Sequence, residues 1–341
     1  MHLSRRRFLQ KSAVAGAALA GFPLSETHGR DAHATMVPGQ ETKSGSPIPV
    51  ILATDIGDDI DDTWALGLLL KCPELDLKLV LTEYGKAPYR AKLIGKFLEA
   101  TSHSNIPIGV GPDISPRGEG PQAPMIKGYD LSSYPGKVYA DGVQALIDTI
   151  MQSPQPVTLI VIGPMPNVAA ALAREPRIVQ HARLVAMAGS VRLGYNGSTL
   201  PSPEWNVKAD VRAAQQVLSA AWDVTITPLD TCGLVKLEGE QYRRVRDATD
   251  STAAAVIQNY RTWSSSNHHP TDPDSHSSTL FDTVAVYLAF TQELCAMESL
   301  NLRISDDGYT RLDPGGKRMK VATQWKNLDA YRDFLVKRLI S

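Results

Sequence analysis

Between Val50 and Leu70 an apolar run ends, five aspartates follow within eight residues, and a second apolar run begins. The acids are Asp55, Asp58, Asp59, Asp61 and Asp62. Val50–Thr54 carries no polar alternation, the pattern of a strand covered on both faces. Asp62–Lys71 is apolar over most of its length and reads as a buried helix. Strands covered on both faces belong to parallel sheets whose crossovers are helices. The chain must therefore place dense negative charge at the carboxyl end of a buried strand, where α/β sheets bind their ligands.

The same alternation recurs along the chain. Strand-like apolar runs are Val50–Thr54, Leu77–Thr82, Val157–Ile162, Leu184–Ala188 and Val224–Pro228. Helix-like segments fall at Asp62–Lys71, Tyr89–Ala100, Ala140–Met151, Val168–Arg174, Ala209–Ala220, Ser251–Trp263 and Leu280–Phe290. Strands alternating with helices predict an α/β fold, a mostly parallel sheet flanked by helices. Asp55, Ile162–Gly163 and Met187–Gly189 then end neighbouring strands and gather at one edge. Ser264–Ser278, rich in serine and histidine, reads as a long mobile loop.

Five carboxylates in one turn repel, and their pKa values rise unless a cation sits among them. A hard divalent ion with oxygen ligands resolves this. Capping of the helix by Asp61 or Asp62 explains one acid but not five. An EF-hand is excluded, since counting from Asp59 puts Trp64 and Leu70 where glycine and glutamate are needed. Ile56-Gly57 after Asp55 does not suit an aspartyl-phosphate motif, and no glycine-rich phosphate loop is present.

The 341 residues carry a net charge of −1, which argues against a nucleic-acid partner. Ser4–Gln10, with adjacent arginines, precedes a mild apolar stretch and resembles a twin-arginine export signal. Ala32-His33-Ala34 offers a cleavage site, so residues 1–34 are expected to be a signal peptide. Residues 35–47 read as a linker and 48–341 as one folded domain. The expectation is a periplasmic or secreted protein whose precursor uses the twin-arginine machinery. No later run is long and apolar enough to span a bilayer. Cys72, Cys232 and Cys295 are odd in number and widely spaced, and are expected to be buried free thiols.

Five segments in order resemble the calcium-dependent nucleoside hydrolases of the inosine–uridine-preferring type. Asp55-Ile56-Gly57 with Asp61-Asp62 before Ala65-Leu66 looks like their D-x-D-P-G-x-D-D signature and its helix. The spacer has two extra residues, so Asp58-Asp59 is an alternative pair; Asp61-Asp62 is preferred because it directly precedes the helix. Val161–Leu172 resembles the family's T-G-P-L-T-N segment, Met187–Ser190 its M-G-G turn, Ser202–Ala214 its A-E-F-N segment, and Leu280–Val286 its H-D-P-x-A-V.

That resemblance implies a Rossmann-like nucleoside-hydrolase fold and cleavage of the N-glycosidic bond of nucleosides, in purine or pyrimidine salvage. It implies a Ca²⁺ held by Asp55, Asp62, the Ile162 carbonyl and Asp282. A calcium-bound water would pass its proton to Asp55 and attack the anomeric carbon. Asp61, Met187, Asn196, Glu204 and Asn206 match the ribose-binding positions. Members are commonly homodimers or homotetramers.

Departures fall on the base side. Phe281 stands where the family often has a histidine, and phenylalanine cannot transfer a proton. His268, His269 and His276 lie in the adjacent loop and are candidate proton donors, otherwise solvated loop residues. Tyr260 and Trp263 are candidates for stacking on a base, otherwise core aromatics. Glu83 and Tyr84 replace a glycine-asparagine pair, and Asp59 is a candidate extra ligand or sugar contact. The other readings kept open are a calcium-dependent nucleoside or ribose binder without turnover, and a hydrolase of another ribosyl or ester substrate.

Overall fold

The computed structural model describes residues 46–113, 118–266 and 271–341. The expected signal peptide, and the expected linker apart from Ser46 and Pro47, lie outside the described residues. The first half comprises β1 (Ile48–Thr54), α1 (Asp61–Leu70), β2 (Leu75–Thr82), α2 (Ala87–Ala100), β3 (Ile108–Gly109), β4 (Val138–Tyr139), α3 (Gly142–Met151), β5 (Val157–Val161) and α4 (Pro166–Arg174). Then come β6 (Ala182–Met187), α5 (Trp205–Ala209), α6 (Val211–Ser219), β7 (Val224–Thr227), α7 (Gly239–Arg246), α8 (Ser251–Ser266) and α9 (Thr283–Leu288). The chain closes with β8 (Cys295–Ile304), β9 (Thr310–Leu312), β10 (Lys317–Trp325) and α10 (Leu328–Leu339).

The strands form one sheet in the order β4-β3-β2-β1-β5-β6-β7-β10-β8-β9. Strand β1 lies inside it, parallel to β2 on one side and β5 on the other. Its side chains alternate between two apolar layers. Val50 and Leu52 join Trp64, Phe97, Val256, Val284 and Leu335, from the helices on one face. Ile51 and Ala53 join Leu146, Val168 and Val217 on the other. Cover on both faces is why these strands read as unbroken apolar runs. The parallel α/β sheet expected from the sequence is present, from β4 through β7 to β10. Strands β8 and β9 add an antiparallel edge.

The strand order reverses at β1. The chain steps outward through β2, β3 and β4, then returns to place β5 against the other side of β1. The crevice beyond the carboxyl ends of β1 and β5 is thus a topological switch point, the favoured ligand position in open α/β sheets. Asp55 follows β1 there and Ile162 follows β5.

Three boundaries differ from expectation. The predicted helix Ala209–Ala220 starts two residues later, at Val211: the Asp210 carboxylate accepts from Ala213 N–H at 3.0 Å and caps α6, while Ala209 ends the short helix α5. The predicted Leu280–Phe290 helix is regular only over Thr283–Leu288. Ser264–Ser266, expected in a loop, continue α8. The three cysteines are buried and free, as expected.

Helix α1 approaches α8 closely at Gly67. A Cβ on Gly67 would lie 2.8 Å from Val256 Cγ2. Propensity alone favours alanine in a helix by about 1 kcal/mol. The clash falls on a stiff β-branched side chain and costs roughly 1–3 kcal/mol. Gly67→Ala is therefore expected to lower the urea midpoint of unfolding; a raised midpoint would contradict the close approach.

Candidate functional site

Helices α1 and α9 both begin at the switch point, and each brings acid with it. Asp61 and Asp62 occupy the first turn of α1, while Asp282 immediately precedes α9. All three are buried. Each offers a carboxylate oxygen, and these oxygens lie within 4.8 Å of one another. Helix capping does not explain them: Ile60 occupies the N-cap position of α1, and Asp282 makes no capping hydrogen bond to α9. Thr54 Oγ1, at the end of β1, donates to Asp62 Oδ1 at 2.5 Å. The same hydroxyl accepts from Ile56 N–H at 3.1 Å, so the turn after β1 is tied to α1.

Asp55 is buried and is not one of the three; it follows Thr54, whose hydroxyl reaches Asp62. Its carboxylate packs where β5 ends: a Cβ on Gly163 would lie 2.7 Å from Asp55 Oδ1. Glycine at 163 thus lets the chain after β5 pass the acid. The Ile162 carbonyl accepts from Asn206 Nδ2 at 3.1 Å, and the Met187 carbonyl accepts from the same nitrogen at 2.9 Å. Asn206 is fully buried, yet its Oδ1 has no hydrogen-bond partner. An acceptor left open in a buried site suits a hydroxyl-bearing ligand.

Glu204 holds this wall rather than the cavity. Its Oε1 accepts from Asn206 N–H at 2.8 Å, and its Oε2 from Gly189 N–H at 3.1 Å and Val207 N–H at 3.3 Å. It thereby caps α5 and fixes the turn after Met187 to it. Glu83 plays a similar part opposite, accepting from Asn167 N–H at 3.0 Å and Val168 N–H at 3.2 Å at the start of α4. Burial pushes its carboxyl up to about 8; the two amides pull it down and the charge of Asp55 adds to the rise.

A pocket opens beside the acids, lined by Asp59, Asp61, Asn196, Lys236, Trp263, His276 and Phe281. Asn196 adopts a left-handed conformation, φ 58°, which asparagine tolerates. Phe281 presents an apolar wall and meets Tyr195 edge-on at 6.2 Å. Trp263 Nε1 donates to the Asp58 carbonyl at 2.9 Å. Tyr260 is fully buried between Trp64 and Trp263, and its hydroxyl donates to the His276 carbonyl at 3.1 Å. His276 Nδ1 donates to the Ser277 carbonyl at 2.8 Å, which leaves Nε2 as its second functional atom. Tyr84 stands apart from this pocket lining, edge-on to Trp205 at 6.4 Å, with its hydroxyl donating to the Ala209 carbonyl at 3.3 Å. His268 and His269 lie outside the described residues.

Sequence reasoning did not single out Thr54 or Lys236. Thr54 carried a readable signal, a hydroxyl directly before the first acid. Lys236 carried none, since an isolated exposed lysine is ordinary.

The cluster itself fits a metal. Its donors are all carboxylate oxygens, buried and close enough to repel, which suits a hard divalent cation.

The family described as inosine-uridine preferring nucleoside hydrolase matches residues 50–337. The non-specific ribonucleoside hydrolase RihC of Klebsiella pneumoniae is 29% identical over 239 residues, 64% of this chain and 74% of the relative. RihC of an Escherichia coli strain is 33% identical over 202 residues, 54% of this chain and 62% of the relative, less than two thirds of its length. Among solved structures, the plant nucleoside hydrolase PpNRh1 superposes with a TM-score of 0.71 at 22% identity, covering 86% of this chain and 99% of the other. The inosine-uridine preferring nucleoside hydrolase of Bacillus anthracis gives 0.67 at 18% identity, covering 86% and 99%. These two structural likenesses establish the fold.

Glu83 makes stability depend on pH. Its folded value of about 8 lies above the ordinary 4.5, so the folded state keeps a proton that the unfolded chain releases. Stability from this source is whole below about pH 4.5 and is lost as pH rises through about 8. In calcium-free buffer, Glu83→Gln is expected to flatten the fall in Tm across that range. Equal slopes for variant and wild type would contradict it.

Proposed function

The chain belongs to the inosine-uridine preferring nucleoside hydrolase family, whose relatives here are named ribonucleoside hydrolases, and on that premise we propose that it cleaves the N-glycosidic bond of ribonucleosides to ribose and free base. The observation that carries the proposal is the meeting of Asp61, Asp62 and Asp282 at the switch point, with Asp55 following the threonine that bonds Asp62. Calcium is the proposed ion, held by Asp55, Asp62, the Ile162 carbonyl and Asp282. When bound it supplies positive charge that draws a water and the sugar diol into the site.

The chain's own groups do the rest. Asp55 takes the proton of the attacking water. Asp61, Asn196 and the open Oδ1 of Asn206 grip the ribose hydroxyls, with Met187 beside the sugar. Glu204 contributes through the backbone it holds. The carboxylates stabilise the positive charge that develops on the ribosyl ring as the bond breaks. Phe281 and Trp263 wall the base side and exclude water. The departing base takes its proton from His276 in its imidazolium form: Nδ1–H is held by the Ser277 carbonyl, Nε2–H is the proton given, and the neutral imidazole is left. Asp59, on the rim of the same pocket, is a further polar contact for the substrate.

A second reading, a calcium-dependent nucleoside binder without turnover, draws on Phe281, which has no proton to give. The paired arginines near the N-terminus support an exported protein that acts on external nucleosides. Dimeric or tetrameric assembly is proposed from the resemblance alone.

The test is reducing-sugar release from inosine, adenosine, guanosine, uridine, cytidine and p-nitrophenyl riboside, with calcium and with chelator. Asp55→Ala is expected to lower kcat by about 10²–10⁴-fold. Phe281→His is expected to raise release from natural nucleosides by about tenfold or more while changing the p-nitrophenyl riboside rate little. No release from any substrate by a protein that binds calcium would overturn the hydrolase in favour of the binder.

A further inference from the structure

Two departures from the family pattern meet at one side chain. The aspartate loop carries two extra residues, and Thr82–Gly85 stands where a glycine-asparagine pair is usual. Arg90, in α2, is fully buried between these loops. On the aspartate loop, its Nη1 donates to the carbonyls of Asp55 and of Ile56, the latter at 2.9 Å, and its Nη2 donates to Asp58 Oδ2 at 2.9 Å. On the loop after β2, Nη2 also donates to the Tyr84 carbonyl at 3.3 Å, and Nε donates to the Gly85 carbonyl at 2.9 Å. Lys86 Nζ completes the knot by donating to Asp58 Oδ1 at 2.5 Å.

The loop after β2 needs such a fastening. Tyr84, Gly85 and Lys86 are successively left-handed, with φ of 56°, 70° and 50°. For tyrosine and lysine this conformation is strained and persists only where the surroundings impose it. A guanidinium is planar, permanently charged and carries five N–H donors, so it can serve all five acceptors on the two loops; an ammonium, with three donors, cannot. The Asp58 carbonyl also accepts from Trp263 Nε1 at 2.9 Å, which ties the pocket wall to the same fastening.

The geometry points to Arg90 as a positioning residue that, with Asp58 and Lys86, staples the two loops and aims Asp55 from behind through its own carbonyl. The inference rests on the reading of Asp55 as base and calcium ligand. It gives the extra residues of the aspartate loop a purpose: Asp58 supplies the charge that keeps a buried arginine in place, rather than a ligand to the metal.

The test compares wild type with Asp58→Asn, Lys86→Met and Arg90→Lys, each first checked by circular dichroism for an intact fold. Calorimetric titration of calcium into metal-stripped protein and nucleoside kinetics are then measured. Asp58→Asn and Arg90→Lys are expected to lose about 10–100-fold in calcium affinity and in kcat, with KM moving much less. If Arg90→Lys does not fold, Asp58→Asn and Lys86→Met carry the test, since those side chains are partly exposed. Wild-type calcium affinity and kcat in folded Asp58→Asn would overturn the staple. A wild type that binds calcium but releases no ribose would defeat the hydrolase reading alone; a loss of calcium affinity in the variants would still support the staple.

Discussion

Three carboxylates held within 4.8 Å of one another, away from water, are the constraint around which this structure is organised. Like charges at such separations repel by several kcal/mol at the effective dielectric of a protein, about 4 kcal/mol per pair at 4 Å. A fold relieves that by binding something of opposite sign or by keeping a proton among the acids, and oxygen donors gathered from the starts of two helices suit the first. The switch point between β1 and β5 is where the topology leaves a crevice, and two helices start at its floor. Asp61, Asp62 and Asp282 thus come from distant parts of the sequence to one place because of strand order.

The polar groups around the cluster divide their work. Glu83 and Glu204 are buried carboxylates that spend their oxygens on backbone N–H groups, one at the start of α4 and the other at α5. They fix the walls and leave the open acceptor of Asn206 facing no partner of its own. Asp58 is likewise engaged: burial alone would raise its pKa, but Arg90 and Lys86 outweigh that and hold it at about 2. A dense acidic run therefore contains acids with separate duties, some gathered for an ion and one paired with cations of the chain. The pocket beside the acids is apolar where Phe281 and Trp263 stand, and polar at Lys236 and His276.

Much of this was legible in the sequence for a physical reason. Strands β1, β2, β5, β6 and β7 announced themselves as unbroken apolar runs because helices cover both their faces. Strands β8 and β10 escaped the same criterion because parts of them are exposed and their polar residues interrupt the pattern. The start of α6 was placed two residues early because only the Asp210 cap separates it from the end of α5. In the site, Asp61, Asp62 and Asp282 were legible as motif residues. Arg90 was not, since an arginine inside a helical pattern reads as a surface residue until the fold closes two loops over it. Glu83 was visible only as a departure, and nothing local reveals that its oxygens are taken by α4.

The family assignment and the acidic cluster support one account: oxygen ligands hold a cation at the switch point, and the sugar is presented to Asp55 over it. Anomalous diffraction from a calcium-soaked crystal tests this most directly. The account predicts one strong peak between Asp62, Asp282, Asp55 and the Ile162 carbonyl. A map with no peak there, and calcium only at exposed surface acids, would contradict it.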